Sequence, residues 1–297
     1  MNIIKYRKWW YLLSFIIILP GIISLALYGL RLSVDFTGGT IIEIEGTNDK
    51  TKIEEITKKA NFENVTITEN NNNLVIRSKV VTEENHKKFK TDLNKIKNVK
   101  EIRIETVGPS ISKEITQRAF ISIFLSSILI VLYLAYTFRK VPKPANSWTF
   151  GTTAVAGILH DALALLGIFS ILGVLFNIEV DPLFITAVLT VIGFSVHDTV
   201  VIYDRIRENL IKGTSESFSE VVNRSIVEML GRDLSTSFLA FIIVFILYLF
   251  GGDSIKYFVL TLVIGILLGT YSSIFNSASL LVTWQNYKDK KTKQLKS

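Results

Sequence analysis

The sequence contains no cysteine, which removes disulfide frameworks and thiolate metal sites from consideration and leaves the redox compartment unmarked. It also lacks the composition of an ordinary soluble chain, because 49% of its 297 residues are hydrophobic and they gather into long runs. No Ala-x-Ala-like site closes the first run, so a cleaved signal peptide is not expected. No Gly-Lys-Ser/Thr follows the Gly38-Gly39 pair, which precedes a strand-like stretch, so a phosphate-cradling loop is not expected either. The net charge of +7 would suit a nucleic-acid partner if it formed one patch. In so apolar a chain the distribution of basic residues matters more than their sum, and no nucleic acid is expected as a partner.

What the sequence does hold is a series of apolar runs. The first, residues 11–30, follows Lys5, Arg7, Lys8 and the pair Trp9-Trp10. About twenty residues at 1.5 Å rise span the hydrocarbon core and exceed a signal-peptide core, so an uncleaved first helix is expected. Further runs lie at 120–138, 150–176, 183–203, 234–250 and 257–284. Arg139, Lys140 and Lys143 follow the second. Arg205, Arg207, Lys212 and Arg224 separate the fourth and fifth, and Lys288, Lys290, Lys291, Lys293 and Lys296 crowd the tail. The opposite connections are basic-poor: 177–182 has no Lys or Arg, and 251–256 has only Lys256. The positive-inside rule therefore predicts a polytopic α-helical protein of about six spans, with both termini cytoplasmic. The expected layout is 1–30 as N-terminus and first helix, 31–115 as an extracytoplasmic domain, 116–284 as helices two to six, and 285–297 as a basic cytoplasmic tail.

Within the domain, residues 40–45 alternate around Ile42 and Ile44 and read as a strand. Residues 51–60 read as a helix, with Thr51 and Glu54 at capping-box spacing. Strands are expected at 64–68 and 74–79, joined by a hairpin turn in the asparagine run 70–73. Residues 83–97 put Phe89, Leu93 and Ile96 on one helical face, and 101–107 alternates again. The order βαββαβ is the ferredoxin-like arrangement. Neither paired carboxylates, nor a metal-ligand cluster, nor a nucleophile–base set stands out here, so a binding or lever module is expected, with His86 as a solvated helix residue. Asp35-Phe36-Thr37-Gly38-Gly39-Thr40 opens the domain and Val107-Gly108-Pro109-Ser110 closes it. Asp35, Gly38, Gly39, Gly108 and Pro109 are thus read as the two joints between domain and membrane, the glycines permitting backbone angles that other residues resist.

Ionisable groups at membrane depth carry the functional signal, since each costs about 2.5–3.5 kcal/mol at a helix centre. Asp198 falls in Gly193-Phe194-Ser195-Val196-His197-Asp198-Thr199, roughly 7 Å to the cytoplasmic side of the midplane. It reads as a proton-binding carboxylate, with helix packing as the alternative. His197 is about 100° around the helix from it and is either a relay member or a polar neighbour. Arg232 and Thr236 share a face at i and i+4 where the fifth run begins, with Thr236 at a depth close to that of Asp198 and Arg232 one turn nearer the cytoplasm. Arg232 either reaches that carboxylate or snorkels to the interface, and Asp233 is a second candidate to pair with it. His160-Asp161 in the third run either joins this network or orients a neighbouring helix. Gly265 and Gly269 have the Gly-x-x-x-Gly spacing of close helix approach.

Several stretches together resemble the SecF proteins of the SecD/SecF family, subunits of bacterial protein export within the wider RND superfamily. They are 35–40; 107–110 with Lys113-Glu114 and Gln117-Arg118-Ala119; His160-Asp161; 193–209 with Asp198-Thr199; and Leu249-Phe250-Gly251-Gly252. The resemblance covers nearly the whole chain in order. It implies a proton-driven transport subunit rather than an enzyme, located in the bacterial inner membrane, with protons as coupling ion and no other cofactor. The implied partners are SecD, the SecYEG translocon, YajC, the unfolded preprotein and the lipid bilayer. It also implies that Asp198 is the family's proton-carrying aspartate and that Arg232 and Thr236 occupy the positions of its functional arginine and threonine. His197 departs from the family, which often has asparagine there. Three alternatives remain in view: a small-molecule or lipid exporter of RND type, an intramembrane hydrolase using Asp198 and Asp161, and a purely structural translocon subunit.

Overall fold

The chain opens with helix α1 (Arg7–Tyr28), whose apolar residues face outward on most sides. A short turn of helix, α2 (Val34–Thr37), leads into strand β1 (Gly39–Glu45). Helix α3 (Lys50–Lys59), strands β2 (Thr66–Asn70) and β3 (Asn73–Ser78), helix α4 (Glu83–Leu93) and strand β4 (Lys100–Val107) follow. Four long helices come next: α5 (Pro109–Thr137), α6 (Ser147–Phe176), α7 (Pro182–Ile211) and α8 (Phe218–Phe250). Last, α9 (Lys256–Tyr271) runs through a π-helical turn, Ser272–Ser277, into α10 (Ala278–Gln294). This computed structural model describes residues 1–47, 49–70, 73–96, 98–213 and 215–294.

Among the described residues six helices are long and apolar enough to cross a membrane: Ile4–Tyr28, Pro109–Thr137, Ser147–Phe176, Pro182–Ile211, Phe218–Phe250 and Lys256–Lys291. The chain is thus a multi-pass membrane protein, mostly helical, with a small antiparallel sheet. The apolar windows of α6, α7 and α9–α10 are 44%, 50% and 56% buried, against 6% for α5 and 11% for α8. The first three therefore form the centre of the helical unit, and α5 and α8 present most of their apolar surface outward. That unit comprises Met1–Leu30, Ser122–Ile178 and Leu183–Ser297. Small residues set its closest approaches. A Cβ added to Gly167 of α6 would lie 2.6 Å from the Cα of Gly21 of α1, so these two backbones touch. The Gly265/Gly269 spacing also proves to be a real contact: Gly265 faces Val191, and a Cβ on Gly269 would stand 3.2 Å from that of Ser195 on α7. Near one end Phe138, Phe150 and Tyr203 pack with ring centroids 5.1–5.6 Å apart.

The second unit is Arg31–Ile121 together with Glu179–Pro182, the latter from the connection between α6 and α7. Its sheet has the order β2-β3-β1-β4, antiparallel throughout, with Ile42 opposite Ile76 on one side and Ile104 on the other. Alternation places Ile42, Ile44, Leu74 and Ile76 on the face that packs with Ile53, Phe89 and Leu93 of the two helices.

Local chemistry moves several boundaries. The first domain helix is capped by Asp49, whose side chain accepts from the Lys52 amide at 3.2 Å, so the expected Thr51/Glu54 capping box is not formed. An aspartate already satisfies the first turn, and Thr51 then falls inside the helix. Lys52 also holds the Asp49 carboxyl below its ordinary pKa range. β2 starts two residues later than expected because Asn64 has a φ of 52° and cannot be part of a strand. The Asn71 and Asn72 of the expected hairpin turn, Lys97 of the expected helix end and Lys296 of the tail lie outside the described residues. His86 is not simply solvated: its Nε2 stands 2.7 Å from Glu101 Oε2, joining α4 to the edge strand β4. Finally, α8 starts at Phe218, well ahead of the apolar run at 234, behind a capping box formed by Ser217 and Glu220.

Candidate functional site

Three inner elements of the helical unit carry polar groups toward one another. Asp161 of α6 is 1% exposed. Its Oδ2 accepts from Ser195 Oγ of α7 at 2.5 Å and from Ser272 Oγ of the π turn at 2.6 Å. Its Oδ1 lies 2.9 Å from Nδ1 of His160. The chain of contacts continues through Ser273, which donates to the Ser195 carbonyl at 3.2 Å and lies 3.0 Å from the Thr199 hydroxyl. One turn further on, Tyr203 OH donates to Thr153 Oγ1 and to the Ser277 carbonyl, both at 2.9 Å. Both Asp161 oxygens are engaged, so His160-Asp161 links three elements.

Asp198 has a different environment on the same helix as Ser195, three residues further along. It is 4% exposed, and among the described residues its Oδ1 has only the Nδ1 of His197, at a long 3.4 Å. Its Oδ2 is buried with no hydrogen-bond partner among the described residues. The residues expected to hold it are turned elsewhere. Arg232 contacts its own neighbour Asp233, with Nε and Nη2 each 3.4 Å from Oδ1, and its side chain is 54% exposed. Thr236 is exposed and donates to the Arg232 carbonyl at 2.9 Å. The face of α8 that turns inward instead carries Asp233 and Ser237, and Asp233 Oδ2 and Ser237 Oγ are likewise buried and unpartnered. Asp198 still lies within electrostatic reach of both Asp233 and Arg232. Arg232 also lines a cleft of about 460 Å³ with Thr137, Val201, Asp204 and Met229. His197 is 71% exposed and continues a stripe of exposed small and polar residues on α7: Thr186, Thr190 and Gly193.

The sequence-predicted joints meet in the sheet unit. Gly39 pairs with Val107, and Gly38 and Gly39 have φ of +71° and +125°. A Cβ on Gly39 would stand 2.6 Å from the Ser78 carbonyl oxygen, so glycine is required by both conformation and space. Ser33 Oγ donates to Asp35 Oδ2 at 3.1 Å. The Gly108 carbonyl accepts the Ser112 amide at 3.0 Å, starting α5 with Pro109 as its first residue.

Comparison with known proteins places these features. The family model described as "Protein export membrane protein SecD/SecF, C-terminal" matches residues 87–287, and the "SecD/SecF GG Motif" matches residues 23–49. The chain belongs to the SecD/SecF family. The protein translocase subunit SecF of Thermobaculum terrenum is 41% identical, with 96% of this chain and 94% of the relative covered. That of Anaerolinea thermophila is 36% identical over the same shares. The crystal structure of SecDF from Thermus thermophilus, a translocon-associated membrane protein, superposes with a TM-score of 0.81 at 27% identity over 96% of this chain. This chain spans only 39% of that SecDF chain.

In SecD/SecF terms, Gly38 and Gly39 fall inside the matched GG motif, and Asp161, Asp198, Arg232 and Thr236 all fall inside the C-terminal family region. Sequence reasoning missed the Ser272–Ser277 turn, whose signal was a cluster of serines within an otherwise apolar span. It also missed the inward face of Asp233 and Ser237, whose i, i+4 spacing duplicates that of Arg232 and Thr236 one residue on.

Proposed function

We propose that the chain works as a SecF-type accessory subunit of the Sec translocase. With SecD, and beside SecYEG and YajC in the bacterial inner membrane, it uses the proton-motive force to promote late-stage translocation and outward release of an unfolded preprotein. Protons are the coupling ion, no other cofactor is involved, and no bond of the substrate is made or broken. The observation that carries this reading is Asp198: a buried carboxylate in a membrane span, with one oxygen unpartnered and an arginine nearby held by a second carboxylate.

The cycle follows from that arrangement. Ionised Asp198 draws Arg232 and Thr236 toward it, and a proton arriving from outside removes the attraction and lets Arg232 return to Asp233. Release of the proton to the cytoplasm restores the first state. Each elementary charge crossing the membrane yields about 2.3 kcal/mol per 100 mV, so a few protons bias a two-state helix arrangement by several kcal/mol. The exposed stripe on α7 ending at His197, and the exposure of Arg232 and Thr236, support a partner subunit covering this side, because such groups are costly against lipid. Both termini lie in the cytoplasm in this reading, from the charge distribution of the connections. The layout is 1–30, 31–115, 116–284 and 285–297, and the second segment is a ferredoxin-like extracytoplasmic domain, supported by its βαββαβ order and its β2-β3-β1-β4 sheet.

The engaged state of Asp161 argues against an intramembrane hydrolase, since a carboxylate already accepting from two serines is poorly placed to activate water. The test compares wild type with Asp198→Asn in vesicles containing the export machinery, with the proton gradient imposed and then collapsed. Late preprotein release that depends on the gradient in wild type alone supports the reading. An equal gradient response from both sinks it.

A further inference from the structure

The sheet unit includes residues from a second part of the chain. Glu179–Pro182, from the connection between α6 and α7, is grouped with it rather than with the helices. The attachment is backbone-made: Ser33 N donates to the Val180 carbonyl at 2.9 Å and Val180 N donates to the Arg31 carbonyl at 2.7 Å, forming a parallel bridge between Leu32 and Val180. Val180 is 1% exposed. Beside it Glu179 contacts two guanidinium groups, Arg77 at the ion-pair range and Arg31 at 3.8 Å. Arg77 sits within β3, paired across to Ile41 of β1 and Thr66 of β2, on the sheet face opposite Ile76 and the helices. Burial and the nearby Arg31 push the Arg77 guanidinium below its ordinary pKa, so Glu179 is the anion that lets two cations share this place.

We propose that this connection is a permanent tether between the sheet unit and helix α7, with Glu179 as its positioning residue. Pro182 is at once the last residue of the tethered segment and the first of α7, and α7 is unbroken from there to Asp198, about 24 Å of helix at 1.5 Å per residue. A shift of α7 driven at Asp198 is therefore delivered to the sheet through Val180 and Glu179, in addition to the joints at Gly38-Gly39 and Gly108-Pro109. The tether rests on the proton-driven reading for its purpose, but not for its existence.

The absence of native cysteine makes the test direct. Leu32→Cys with Val180→Cys is introduced into the full chain, assembled with its export partners in vesicles, and oxidised. The expected results are ready cross-linking, equal yield with and without a proton gradient, and full gradient-dependent preprotein release after cross-linking. Loss of release that returns on reduction means that the bridge must open, and overturns the proposal. Glu179→Gln and Arg77→Glu each lower the gradient-dependent stimulation at least about fivefold, the lower end of typical coupling between sites. The exchange Glu179→Arg with Arg77→Glu restores part of it. An undiminished response from Glu179→Gln overturns the proposal, whatever the exchange does. If wild type itself shows no gradient response, the proton-driven reading fails. The tether then stands or falls on whether the cross-linking yield is equal in energised and unenergised vesicles.

Discussion

Two aspartates less than forty residues apart in sequence occupy the same helical unit and are treated in opposite ways. Asp161 has both oxygens engaged by groups from its own helix, from α7 and from the π turn. Among the described residues Asp198 has one long contact to a histidine and one oxygen with nothing to accept from. Burial alone therefore does not distinguish the two carboxylates, whereas their hydrogen bonding does. A satisfied buried carboxylate resists change, because every alternative leaves hydroxyls or an imidazole unpaired, whereas an unsatisfied one gains from any proton or cation that reaches it. The same contrast separates the helices. The α6, α7 and α9–α10 core is closely packed and internally bonded, while α8, which carries the arginine and a second aspartate, buries little of its apolar surface against the rest of the chain.

The largest effect should come from attacking the satisfied side. Asp161→Leu strands Ser195, Ser272 and His160, and is expected to cost at least about 3 kcal/mol, read as a large fall in Tm of the detergent-solubilised protein. A Tm within a degree or two of wild type would erase the distinction between the two aspartates. Next comes Gly167→Leu, which forces a side chain into the backbone of α1 and should destabilise by about 1–3 kcal/mol in the same assay. Asp198→Asn should leave stability within about 1 kcal/mol of wild type while removing the gradient response, because it deletes a charge that the fold does not satisfy. Asp233→Asn sharpens the contrast further: it frees Arg232, and should weaken rather than abolish gradient-dependent release. The smallest effect belongs to the sheet domain, where His86→Ala loses one partly exposed pair worth about 0.2–1 kcal/mol, measurable as faster amide exchange along β4.

The spans were legible because twenty apolar residues in a row have few other uses, and the strands because Ile42, Ile44, Leu74 and Ile76 alternate without interruption. Helix ends were less so. The first four turns of α8 interleave charged and polar residues with apolar ones and read as a connection, although Ser217 and Glu220 announce a helix start. Asp49 beat Thr51 to the cap of α3 because two candidates stand within three residues, and only geometry chooses between them. At the candidate site, the sequence singles out Asp198, Asp161, Arg232 and Thr236 but not which of them touch. Pairing at i and i+4 on α8 applies equally to Arg232/Thr236 and to Asp233/Ser237, and the direction in which a helix rolls depends on long-range packing that local spacing does not contain. Glu179 was beyond reach for the same reason, since its partner Arg77 is about a hundred residues away, in another element.

The π turn at Ser272–Ser277 has a geometrical consequence for the last span. A wider turn inserts a phase offset, so α9 and α10 present different sectors to the bundle although they form one continuous rod. Above it, Gly265 and Gly269 address α7; below it, Leu281 and Val282 are fully enclosed. Imposing ordinary winding through the turn at unchanged length would swing everything downstream by about 100°, bringing those two side chains out of the interior. The offset also leaves the Ser277 carbonyl to receive the Tyr203 hydroxyl, which ties the turn ahead of α10 to α7.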